Sequence, residues 1–229
     1  MKVLGIDTAT MLASIGIIED EKTLAEMKFD VKITYSEILL NFIDYLLKSL
    51  KLKTTDLDGF SISIGPGSFT GLRIGLSTIK GLSFATGKPV VAVPTLDALA
   101  SLSLFSLYPV VPLIDAKKKQ VYSAVYDTKD GVVKRKSPYF VLSLEKLVKN
   151  LPDKVLFSGP GVFVFKERLE KIVKRKKVHY LLGENSLPSG VAVAKLGLEK
   201  FKKNKIEDLS LLVPLYVRES EAELKFKNE

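Results

Sequence analysis

Residues 65–75 read GPGSFTGLRIG, set between the apolar run GFSISI at 59–64 and LSTIKGLSFA at 76–85. An apolar run, a glycine cluster and a longer run with helical spacing predict a buried strand, a tight turn and a helix. Gly65 and Gly67 flank Pro66, so the turn has access to backbone angles closed to other residues while proline fixes one of them. Ser68 or Thr70 is placed to cap the helix, whose first N–H groups then form an anion site. The lysine of a Walker loop, GxxxxGK[ST], is missing, because Gly71 is followed by Leu72 and Arg73. The dinucleotide pattern GxGxxG fits Gly65 and Gly67, then meets Thr70 where the third glycine belongs. The same residues also read as a plain structural turn closing a βα unit.

Upstream of the turn, residues 2–6, 13–18 and 23–31 read as three strands joined by short turns, an antiparallel meander. The first ends in Asp7-Thr8-Ala9-Thr10, where actin-like and sugar-kinase-like ATPases put a carboxylate that holds hydrated magnesium. Those enzymes have glycine where Ala9 stands, and a strand-ending aspartate that caps the next turn is the alternative. Residues 36–50 predict an amphipathic helix, with Ser36 as its cap and Leu39, Phe42, Ile43, Leu46, Leu47 and Leu50 toward the core. A second stripe, Ile38, Phe42, Tyr45 and Ser49, widens the apolar arc beyond what one core contact uses and points to a second partner. The helix after the glycine turn carries Gly71, Gly75, Thr78, Leu82 and Ala85 along one side. Small residues there admit another backbone, either a partner's, as in a four-helix bundle, or the chain's own sheet. Burial of such a seam predicts a homodimer for the isolated protein.

Downstream, residues 90–93 read as a strand, 95–103 as a helix capped by Thr95, and 110–114 and 120–126 as strands around DAKKK. Asp115 at a strand end loosely echoes Asp7, which suggests two lobes, 1–106 and 107–229, with a tail that packs back on the first. Helices at 144–149, 161–173 and 191–201 surround a strand at 154–157.

The 229 residues, 46% apolar, supply a real core. Without cysteine there is no disulfide framework, thiol nucleophile or Cys-based zinc site, which fits a reducing cytoplasm. His179 is the single histidine, so no His pair, HExxH site or Ser-His-Asp triad can be assembled, and no transition metal is expected. It reads as a partly buried strand residue. The longest charge-free stretch, 98–114, contains prolines and serines and is shorter than the roughly 20 residues that span a bilayer. The opening is too short in its apolar run for a secretory signal. A net charge of +9 permits a polyanionic partner, and KERLEKIVKRKK at 166–177 is its densest part, although a solvated helix face is the first reading of that segment.

The stretches IDTAT, YSEILL, DLDGFSISIGPGSFTGLRIGLSTIKGLSFATGKPVVAVPTLDALA, LIDAKKKQVYSAVYD and PLYVR together resemble the TsaB family, formerly called YeaZ, nearly end to end. Tyr35 stands where that family usually has histidine, and Asn41 where it has proline. The resemblance implies an α/β, actin-like (ASKHA, ribonuclease H-like) two-lobed fold with mixed sheets flanked by helices. It implies a non-catalytic part in making threonylcarbamoyladenosine beside the tRNA anticodon. The partners it implies are the transferase TsaD, met through the two helices above, and the small ATPase TsaE, with homodimers when TsaD is absent. The catalytic relative's paired metal histidines correspond here to Thr95 and Leu99.

The expected docking residues are therefore Ile38, Phe42, Tyr45, Gly71, Gly75, Thr78 and Leu82. The candidate anion or nucleotide residues are Asp7, Thr8, Gly65, Gly67, Ser68, Thr70 and Arg73. No cofactor is required, ATP or ADP being admissible only at the joined interface, and tRNA contact would come through the complex. The alternative is an active ATP-dependent transferase or kinase that uses Asp7, the turn from Gly65 to Gly71, and Asp115.

Overall fold

The computed structural model describes residues 1–30, 35–173 and 176–217, with the side chains of 35–37 outside that set. It divides into one unit of Met1–Ala98 with Pro188–Pro214 and another built on Leu99–Leu187.

The first unit is organised by a five-stranded sheet. Strands β1 (Lys2–Asp7), β2 (Leu12–Glu19) and β3 (Lys22–Asp30) pair antiparallel as the expected meander. The sheet continues in parallel through β4 (Gly59–Ser63) and β5 (Val90–Val93), giving the order β3-β2-β1-β4-β5. Pleating sends alternate side chains to opposite faces. Leu4, Ile6, Ile15, Ile17, Phe60 and Ile62 pack on helices α1 (Tyr35–Ser49) and α2 (Phe69–Thr86), while Val3, Ile18 and Val91 face Ala194, Leu198 and Phe201 of another helix. The result is three layers, with the sheet in the middle.

The second unit starts within α3 (Thr95–Ser101). Each strand expected near 110–114 and 120–126 is broken in two and shared between sheets. Strands β6 (Val110–Pro112) and β9 (Tyr126–Asp127) belong to one sheet, while β7 (Ile114–Asp115) and β8 (Gln120–Ser123) belong to another. The sequence reading missed β10 (Lys134–Arg135) and β11 (Phe140–Ser143). Helix α4 (Leu144–Lys149), strand β12 (Lys154–Ser158), helix α5 (Gly161–Ile172) and edge strand β13 (Lys177–Tyr180) complete it. Leu144, Leu147, Val155, Phe157, Val162 and Leu169 form its core.

The lobe division at residue 106 is corrected by α6 (Gly190–Lys202), which returns to the first unit, and by a boundary that falls at Ala98. The reason is a close approach that ordinary side chains forbid. A Cβ at Gly5 would lie 2.2 Å from Gly190 O, and one at Gly16 would lie 2.3 Å from Val191 N. Ser61 Oγ donates to Val193 O at 2.9 Å, and Glu26 accepts from Ser189 Oγ at 2.6 Å, so the helix is anchored at its start. The tail's expected packing from residue 218 onward, like the Ser36 cap, Val31 and the Tyr35 side chain, lies outside the described residues.

Candidate functional site

The strand-turn-helix of residues 59–86 forms as the sequence predicts. Ser68, not Thr70, is the N-cap of α2, its hydroxyl accepting from Gly71 N at 3.3 Å, and Gly87 ends the helix in the left-handed conformation. Gly65 has φ 117°, an angle for which glycine is needed. Gly67 has a different role, because a Cβ there would sit 2.2 Å from Ala9 O. The turn thus lies directly on the end of β1, and Ser68 N donates to Ala9 O at 2.6 Å.

Asp7, Thr8 and Ala9 are all without solvent exposure. Ala9 N donates to Asp7 Oδ1 at 2.9 Å, whereas Asp7 Oδ2 and the neighbouring Ser63 Oγ complete no hydrogen bond. Burial pushes the Asp7 carboxyl up to about 6, overcoming the downward pull of the Ala9 N–H. Thr8 Oγ1 donates to Gly71 O at 2.8 Å. Thr95 is buried. Its Oγ1 accepts from Gly65 N at 3.0 Å and its N–H donates to Gly65 O at 2.8 Å, so it fastens the turn from the opposite side. Leu99 is also buried.

The N–H groups of Gly65, Ser68 and Gly71 are engaged within the chain, and Ala9 occupies the space that Gly67 leaves. Arg73 is exposed and stacks over the Phe69 ring at 3.7 Å. Thr70 is exposed on the first turn of α2. The anion candidates other than Arg73 and Thr70 therefore meet as one cluster, tied together by hydrogen bonds within the chain, with Asp7 Oδ2 left unpaired. Asp115 belongs to the second unit, with its carboxylate accepting from Lys117 N at 2.8 Å and Lys117 Nζ at 3.1 Å. Among the described residues no group of three His, Cys, Asp or Glu is placed to hold a metal ion.

The docking set divides. Gly71 and Gly75 are corrected to the chain's own packing: a Cβ at Gly71 would meet Thr8 O at 2.1 Å, and one at Gly75 would meet Thr8 Oγ1 at 2.2 Å. They are small because β1 passes beneath them. Phe42 is half-buried against Phe29, with ring centroids 4.6 Å apart. Ile38, Thr78 and Leu82 are half-buried, and Tyr45 is 62% exposed. Sequence reasoning missed two further exposed apolar side chains, Leu40 on α1 and Phe84 on α2, the latter 90% exposed. For Phe84 the signal was an apolar residue out of phase with the buried stripe Leu72, Leu76, Ile79. Gly81, also on the outer side of α2, has open space where a Cβ would stand.

The family model TsaD, described as tRNA N6-adenosine threonylcarbamoyltransferase, matches residues 30–226. The tRNA threonylcarbamoyladenosine biosynthesis protein TsaB of Bacillus subtilis is 30% identical, over 99% of this chain and 98% of its own. Among solved structures, YeaZ from Pseudomonas aeruginosa superposes with a TM-score of 0.79 at 24% identity, covering 94% of this chain and 99% of that one. A ROK family protein from Streptococcus pneumoniae superposes at 0.51 with 11% identity, over 90% and 99% of the two chains, which places the fold in the actin-like, ASKHA class. With a family model spanning most of its length and a relative aligned nearly end to end, the chain belongs to the TsaB family of tRNA threonylcarbamoyladenosine biosynthesis proteins.

Proposed function

We propose that the chain is a non-catalytic subunit of the assembly that makes threonylcarbamoyladenosine in tRNA, and that it docks the transferase TsaD through the outer faces of α1 and α2. The observation that carries this reading is the contrast between the two candidate sites. Where ATP-using relatives open a phosphate cradle, Asp7 is buried and the turn's N–H groups are spent on Ala9, Ser68 and Thr95. Near the far end of α2, Phe84 stands in solvent, as do Leu40 and Tyr45 on α1, and such apolar surface gains about 25 cal/mol per Å² on burial. The same face supports a homodimer when the transferase is absent. TsaE joins the pair, the subunit needs no cofactor of its own, and the site of action is the cytoplasm. No helix among the described residues is long and apolar enough to cross a membrane.

The test is co-purification with tagged TsaD. Phe84→Asp should fold, as circular dichroism will show, and lose TsaD, because a carboxylate would be buried unpaired at the centre of the contact. Normal capture by the folded variant overturns the docking face. ATP turnover by the isolated chain, abolished in Asp7→Ala, would instead establish the active transferase or kinase reading.

A further inference from the structure

The net charge is confined to one part of the molecule. Residues 99–187 contain seventeen Lys and Arg against eight Asp and Glu, whereas 1–98 together with 188–214 contain fifteen against fourteen. The densest segment forms a helix face, as its sequence suggests, only over residues 166–172. Helix α5 stops at Ile172, and Lys177 opens edge strand β13, which lies last in the sheet order β10-β9-β6-β12-β13.

Alternation along β13 turns Val178 and Tyr180 toward the unit's core, and Lys177 and His179 outward. Lys177 is the register partner of Lys154 on β12, so two exposed lysines are neighbours across the strand pair. Like charges directly opposite each other destabilise a sheet. Neither lysine has a carboxylate partner among the described residues. On the same edge the His179 ring lies flat on Tyr108, with centroids 4.8 Å apart and planes within 4°. Exposed lysines next to a stacked ring pair whose His179 member is exposed combine the two elements that bind an unpaired nucleic-acid strand, namely cations for phosphates and a ring for a base.

We propose that the face formed by Tyr108, Lys154, Lys177 and His179 binds single-stranded RNA. Lys154 and Lys177 contact neighbouring phosphates, and His179, held flat by Tyr108, stacks on an unpaired base. The choice of RNA over other polyanions rests on the function proposed above; the geometry of the face does not.

The experiment uses the full chain and a fluorescein-labelled 15-nucleotide single-stranded RNA, read by anisotropy at 50 and 200 mM KCl, with a duplex of the same length for comparison. Wild type should bind the single strand more tightly than the duplex. The double variant Lys154→Glu, Lys177→Glu should weaken binding at least tenfold and reduce the slope of log affinity against log salt by about 1.4, two phosphates at roughly 0.7 each. His179→Ala should weaken the single strand several-fold and leave the salt slope unchanged. The double variant Lys146→Glu, Lys171→Glu makes the same charge change on α4 and α5 and should stay within twofold of wild type. Thermal melts verify folding, and Lys154→Gln with Lys177→Gln replaces the glutamates if they unfold the chain. Absence of binding by wild type, or equal loss in both charge-reversed proteins, overturns the proposal. TsaD capture, measured in parallel on each variant, should be unchanged; RNA failure with intact capture defeats this inference alone.

Discussion

Asp7 is a carboxyl group in a place that does not suit a carboxylate. With a folded value of about 6 against an ordinary 3.8, it binds a proton more tightly in the folded chain than in the unfolded one. Its contribution is therefore most favourable below pH 4, declines as pH rises through the interval from about 4 to 6, and is flat above it. A rise of this size corresponds to about 3 kcal/mol. Asp7→Asn should consequently raise stability against urea at pH 8 by roughly 1–3 kcal/mol relative to wild type, with a much smaller difference at pH 4. A difference that does not change with pH would show that the folded and unfolded chains bind the Asp7 proton equally well, so that folding does not raise its pKa. The two helix glycines make a second residue-level pair. Gly75→Leu should prevent folding, since even a Cβ meets Thr8 Oγ1, whereas Gly81→Ala, facing open space, should raise the melting free energy by up to about 1 kcal/mol. The sequence showed that small residues line α2; the partner that makes them necessary lies more than sixty residues away, and no local pattern records on which side of a helix it will arrive.

Helix α6 shows what one element contributes to a sheet it does not neighbour in sequence. Its first turn is held by Ser189, whose Oγ accepts from Ala192 N at 3.0 Å, and by Glu26, which accepts from Ser14 Oγ, Ser189 Oγ and Val191 N. A carboxylate at a helix start also meets the positive end of the helix dipole. Glu26→Ala should cost about 1–2 kcal/mol in denaturant melts while leaving the slope of the transition unchanged. The helix itself was readable from its spacing, and so were α1, α2 and the meander. What was hidden was the destination of α6. Gly5 and Gly16 inside otherwise apolar strands were the available clue, and each reads locally only as a weak strand residue. The short strands β10 and β11 were missed because two to four residues are too few for a period of two to show against their flanks.

The whole molecule is two units of different electrical character, one balanced and one strongly basic, and the chain passes from the first to the second and back. Composition gave the total charge without its location, which needed the boundary at Ala98 and the return at Pro188. A chain ending at residue 187 should therefore leave the first unit incomplete, with Val3, Ile18 and Val91 uncovered, and limited proteolysis should digest 1–98 in that truncated protein while the full chain resists. Comparable resistance in both would mean that α6 is dispensable to the sheet.

The return of α6 also fixes an order of events on the ribosome. All five strands of the first sheet have been made by residue 93, yet the helix that covers one face emerges about a hundred residues later, roughly 5–20 s at ordinary elongation rates. During that interval the intervening unit has its own core and can close first, so the nascent chain completes its middle before its beginning. The waiting sheet presents a bare aliphatic surface to the cell's holding chaperones, and synonymous codons that slow translation between residues 98 and 190 would lengthen its exposure without changing a single amino acid.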